Sequence, residues 1–237
     1  YQQSAAARQA RQQALYMLGN REYAAGRYAN ALGMFNEGAS IKGNSAVARQ
    51  CVLRGAACEY DLGEYAKSKS GYTSFINSAS SGDENLPLAY YGLGYAQYML
   101  EDYNGALKSF LKVRTLAPVS DVRLRVDAMN RAGDCEYMES HFTQAQSYYA
   151  EAYNLDPSAG DYAMYQQALM KGYNRDYKGK IAMLDEVINQ YHSSSLVPAA
   201  MLEQAEAYVA LGQNDNAIAT YKKLVQTFPS TSYGRNG

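Results

Sequence analysis

The stretch Gly94–Pro118, GYAQYMLEDYNGALKSFLKVRTLAP, holds the pattern that decides the fold. Gly94 is followed twelve positions later by Ala106, then by Phe110, Val113 and Pro118. Steps of four and three put Ala106, Phe110 and Val113 on one helical face. Glu101-Asp102-Tyr103 interrupts the two apolar segments, and Pro118 stops the second. The stretch therefore reads as two helices folded back on each other. Gly94 allows a close approach from one side, Ala106 from the other, and Phe110 fills the space beside them.

The same ladder recurs along the chain. Before it come Gly19, Ala31, Phe35 and Gly38, then Ala56, Ser68, Tyr72 and Phe75. After it come Gly133, Ala145, Tyr149, Ala152 and Pro157, a looser copy at Ala168, Lys180, Leu184 and Val187, and finally Ala205, Ala217, Tyr221, Leu224 and Pro229. The first residues of the six ladders are separated by 37, 38, 39, 35 and 37 positions. A period of this length is the mark of a repeat architecture. Each copy has its break, as at Ala25-Gly26-Arg27-Tyr28 or Leu62-Gly63-Glu64-Tyr65. Glycine there suits a helix C-terminus that needs positive φ, and the aromatic that usually follows opens the second helix and packs back on the first.

The ladders resemble the tetratricopeptide repeat, a 34-residue pair of antiparallel helices with small, aromatic and proline positions at these places. The resemblance implies an all-α, right-handed superhelical solenoid of about six helix pairs. It would form a single array over 1–237, with approximate repeats 12–44, 49–82, 86–119, 125–158, 161–194 and 198–231. The chain has no Trp, which the family favours early in the first helix, and Lys180 stands where Ala is expected. Residues 1–13 extend the first helix with a hydrophilic start. The run from Phe228 leads into what reads as the opening of a seventh repeat, so a piece of a longer protein is expected.

Composition narrows the function. The 237 residues are 47% hydrophobic and 19% charged, with a net charge of −1, and the 22 basic residues are interspersed with 23 acidic ones. Nucleic acid binding calls for clustered Lys and Arg, so no nucleic acid partner is expected. Apolar residues come in short interrupted groups, too short for a membrane span. Cys51 and Cys58 lie two helical turns apart, about 10 Å along the axis, too far for a bridge. With Cys135 they read as small buried hydrophobes. His141 and His192 sit in separate turns, and no phosphate loop, nucleophile elbow or metal-ligand spacing occurs. No catalytic residue, metal or cofactor is expected; the chain reads as a non-enzyme.

The unusual feature is 24 tyrosines. Tyr23, Tyr60, Tyr98 and Tyr137 share a place late in the first helices, with Tyr173 shifted by one. Tyr16, Tyr91 and Tyr165 share a place about two turns earlier, and Tyr95 lies between. The family resemblance puts this face on a concave groove, where Tyr offers a rigid apolar body with a hydrogen-bonding tip for a peptide or partner protein. Asn20 and Arg54 fall at places that chaperone-binding members use to clamp a carboxylate, and Arg131 repeats the Arg place. The clamp lysines are replaced by Tyr16 and Leu88, so a cytosolic chaperone cofactor is disfavoured.

Gln190-Tyr191-His192-Ser193 and Thr227-Phe228-Pro229-Ser230-Thr231-Ser232 resemble junctions in bacterial cell-envelope members of the family. That resemblance implies a periplasmic or outer-membrane-associated scaffold, with the cytoplasm as the alternative. Two other readings stay open: a glycan-binding scaffold of an outer-membrane uptake system, and a structural module that self-associates through an uncapped C-terminal end.

Overall fold

The structure is a computed structural model that describes residues 4–232. The first three residues, and the expected start of a seventh repeat from Tyr233 on, lie outside the described residues. Among the described residues there are twelve α-helices, one short 3₁₀ turn and no strand. They fall into two compact units that divide after Ala117.

The first unit contains α1 (Ala5–Ala24), α2 (Tyr28–Ser40), α3 (Ser45–Asp61), α4 (Tyr65–Ser78), α5 (Leu86–Met99) and α6 (Tyr103–Leu116). Each helix packs on the next, and the first helices α1, α3 and α5 also touch in sequence. The second unit contains α7 (Val122–Met138), α8 (Phe142–Leu155), α9 (Asp161–Tyr173), α10 (Tyr177–Gln190), α11 (Val197–Ala210) and α12 (Asn214–Thr227), again packed consecutively. Pro118, Pro157 and Pro229 each follow the second helix of a pair by two residues.

The six turns between paired helices close in one way. The amide that follows the turn bonds back to a carbonyl five residues earlier. The pairs are Arg27 to Glu22, Glu64 to Glu59, Asp102 to Gln97, His141 to Glu136, Asp176 to Lys171 and Gln213 to Tyr208, all at 2.8–3.0 Å. This is the Schellman closure, and it requires a left-handed residue just before the donor. Gly26, Gly63 and Gly212 supply it, as the sequence suggests. In the other three turns Glu101, Ser140 and Arg175 adopt φ of 61°, 63° and 60° without being glycine. The hydrogen-bonded closure and the packing of the flanking helices hold them there against a local cost of about 1–2 kcal/mol.

The ladder residues form the core. Ala31, Ala106 and Ala145 are fully buried, as are Phe35, Phe110 and Tyr149 four residues on. Each aromatic ring lies over the small residue of the partner helix. A Cβ added to Gly19, Gly94 or Gly133 would stand 2.6–2.8 Å from a ring carbon. Burying each ring is worth about 2–3 kcal/mol over leaving it in water. Tyr221, at the same place in the last pair, is only half-buried.

Two departures from the ladder have different physics. Ser68 occupies an Ala place with its hydroxyl buried and without a hydrogen-bond partner. Lys180, also in an Ala place, threads over Gly172 and meets Glu203 of α11 at 2.5 Å, so the buried ammonium is paired. Cys51, Cys58 and Cys135 are buried and unbridged. Burial pushes their thiols up to about 11 for Cys51 and about 12 for the other two.

Candidate functional site

In the first unit, Tyr16, Asn20 and Tyr23 follow one another on α1 at steps of four and three, as Tyr91, Tyr95 and Tyr98 do on α5. That spacing keeps each trio on one face. All six are half-buried. Tyr16 leans on Phe35 with ring centres 6.2 Å apart. Asn20 donates its amide to the Tyr16 carbonyl at 2.9 Å, so its side chain serves its own helix. The Tyr23 hydroxyl donates to Asp61 of α3 at 2.5 Å; burial, then this bond, raises its pKa.

Tyr60 of α3 meets Tyr95 of α5 edge-on at 6.1 Å, and Tyr95 meets Tyr91 at 4.9 Å and Phe110 at 5.5 Å. The first unit thus carries a contiguous edge-to-face aromatic chain from α3 to α6, a geometry that the ring quadrupole favours. Arg54 is exposed on α3.

The late tyrosines also lock their own turns. Tyr23 lies on Tyr28, Tyr60 on Tyr65, Tyr98 on Tyr103 and Tyr137 on Phe142, at 5.2–6.1 Å. These are the aromatics that open the second helices, packed back as the sequence suggests. The same side chains therefore stabilise the turns and present their remaining surface.

In the second unit the structure gathers Tyr137, Phe142 and Tyr173. The Tyr137 and Tyr173 hydroxyls are 2.9 Å apart. Phe142 and Tyr173 stack face to face, 4.5 Å apart and 6° from parallel, and Tyr137 is inclined 47–48° to both rings. The bond to Tyr137, followed by burial, pushes the Tyr173 hydroxyl up to about 12. Tyr173 is nevertheless 50% exposed and Met138 beside it 44%. With Ser140 these residues line a hollow of about 240 Å³. Phe142 could be found in the sequence as the aromatic opening α8; its stacking on Tyr173 depends on how α9 packs and has no local signal.

Arg131, also on α7, makes contacts of its own. It pairs with Asp127 and Asp134 and lies 4.9 Å over the Tyr162 ring. Asp134 is 5% exposed and accepts hydroxyls from Tyr149 at 2.8 Å and Tyr162 at 2.6 Å, tying α7, α8 and α9 together. Burial raises the pKa of this carboxyl. Tyr165 packs at the edge of the apolar cluster of Met164, Ala168 and Leu184. Among the described residues no group of three His, Cys, Asp or Glu is placed to hold a metal, and no helix is long and apolar enough to cross a membrane.

Comparison with known proteins identifies the repeat. The tetratricopeptide repeat family model matches residues 88–118 and 199–231, which hold the third and sixth helix pairs. A tetratricopeptide repeat protein from Parabacteroides merdae superposes with a TM-score of 0.72 at 12% identity, over 91% of this chain and 79% of its own. PilF of Pseudomonas aeruginosa gives 0.69 at 16% identity, over 97% of both chains. YrrB, described as a tetratricopeptide repeat protein with an unusual peptide-binding site, gives 0.62 at 19% identity, over 78% of this chain and 89% of its own. At these identities the likeness is one of fold. No curated protein matches by sequence. The chain is all-α and built from consecutive helix pairs, with the fold of these tetratricopeptide repeat proteins and two pairs that match the repeat model itself.

Proposed function

We propose that this chain is a protein-interaction scaffold that holds a peptide or partner protein on the tyrosine faces of its first helices. The observation that carries the reading is the aromatic surface left partly open after the tyrosines have packed. Tyr60, Tyr91, Tyr95 and Tyr98 in one unit, and Tyr137 and Tyr173 in the other, are half-buried or exposed where polar residues would satisfy solubility. Rigid aromatic bodies with hydroxyl tips suit recognition of an extended chain, because few rotamers are frozen on binding. The peptide-binding site named for YrrB, a protein of the same fold, supports the same use. No catalytic role is assigned.

We place the scaffold in the bacterial cell envelope, periplasmic or outer-membrane-associated, on the resemblance of the junctions at Gln190–Ser193 and Thr227–Ser232. Fractionation of source cells tests this, and recovery in the cytosol alone would refute it. The binding reading is tested by pull-down from envelope and cytosolic extracts with wild type and with Tyr60, Tyr98 and Tyr137 changed to Ala. A partner lost in the triple variant, with its helical signal intact, is the expected result. An unchanged partner list would reduce these tyrosines to packing residues.

A further inference from the structure

The two units differ in charge. Residues 1–117 carry 12 Lys and Arg against 9 Asp and Glu, whereas residues 118–237 carry 10 against 14. The acidic unit is the one with the open aromatic hollow of Tyr137, Phe142 and Tyr173. Its three rings are set at an angle, two stacked and one inclined, with the exposed Met138 beside them. Glu139, the next residue, is exposed, while Lys171 is taken up by Asp176 at 3.0 Å and Lys180 by Glu203. Arg175 in the adjoining turn and Lys178 at the start of α10 are exposed cations.

Aromatic faces attract cations through the ring quadrupole, more strongly where water is partly excluded. The unit already uses this chemistry internally, with Arg131 over the Tyr162 ring. We propose that the Tyr137–Phe142–Tyr173 cage takes a cationic side chain, Lys or Arg, from the bound segment. The acidic excess of the unit draws such a segment in, and the rings hold its charged head. This inference rests on the scaffold reading and adds the ligand's charge to it.

Random-peptide phage display on the whole chain tests it, with selected peptides measured by calorimetry against variants whose helical signal is intact. Lys or Arg should be enriched in peptides that compete for this face. Their affinity should fall roughly 2- to 30-fold in Tyr173→Ala, the span expected of one cation–π contact, and in Tyr173→Gln. It should survive in Tyr173→Phe, which keeps the ring, and should weaken with salt. Enrichment of acidic or uncharged peptides that still depend on Tyr173 would overturn the cationic ligand and leave the scaffold reading standing. Basic peptides indifferent to both Tyr173→Ala and Tyr173→Gln would overturn the cage. A selection that enriches nothing would overturn both.

Discussion

The ring of Phe110 lies directly over Gly94, so that a Cβ at residue 94 would stand 2.8 Å from it. Gly94→Ala must push a fully buried ring out of place, at about 1–3 kcal/mol for overpacking, against about 1 kcal/mol gained in helix propensity. We expect net destabilisation, and the same for Gly133→Ala against Tyr149. Gly33 is mid-helix on α2 with nothing within 4 Å of an added Cβ. Gly33→Ala should therefore stabilise by about 0.5–1 kcal/mol. Urea midpoints of the three variants check the contrast.

Glu101, Ser140 and Arg175 hold positive φ in turns where Gly26, Gly63 and Gly212 do so freely. Changing any of the three to Gly relieves left-handed strain of about 1–2 kcal/mol and costs about 0.5–1 kcal/mol in unfolded-chain entropy. A gain of about 0.5–1 kcal/mol is expected for each. Gly63→Ala should lose a similar amount, readable by thermal melting.

Glu22 is clasped by Arg27 through two bonds of 2.6 and 2.8 Å, which hold its carboxyl down to about 2. A lowered folded pKa contributes stability above the unfolded value, near 4.3, and loses it as pH falls through the folded value. Wild type should lose stability more steeply than Glu22→Gln between about pH 4 and pH 2. Parallel acid limbs would show that the clasp adds nothing.

The Tyr173 hydroxyl, held by Tyr137, should titrate near 12 rather than the usual 10. Tyr137→Phe removes the partner and should bring it back toward 10. Tyrosine ring resonances followed by NMR through the alkaline range check this. A Tyr173 that titrates at 10 in wild type would show that the two hydroxyls do not bond.

The helix pairs were legible because five of the six repeat a steric device: a small residue, a second small residue twelve places on, and a ring four places beyond that. Gly94, Ala106 and Phe110 declare their contact by type and spacing alone. The left-handed turns at Glu101, Ser140 and Arg175 were not legible by residue type, since tertiary packing and the Schellman bonds overrode local preference there. Lys180 read as a damaged repeat, but its partner Glu203 comes from the next helix pair, 23 residues away. The tyrosine rows were visible as positions, whereas their division of labour was not. Asn20 also bonds back to the Tyr16 carbonyl within its own helix, and Arg131 also closes a polar network around Asp134. Asp134 gave no signal, because a buried carboxylate is indistinguishable from a solvated one until its hydroxyl donors on α8 and α9 arrive.

Site-specific photocrosslinking in the source cell tests the central claim most directly. A photoreactive phenylalanine analogue would replace Tyr98 on α5, Tyr173 on α9 or, as controls, the exposed Lys112 on α6 and Gln226 on α12. A discrete partner adduct at Tyr98 or Tyr173 and none at Lys112 or Gln226 is the predicted result. Adducts confined to the control positions would contradict the assignment of the tyrosine faces as the binding surface.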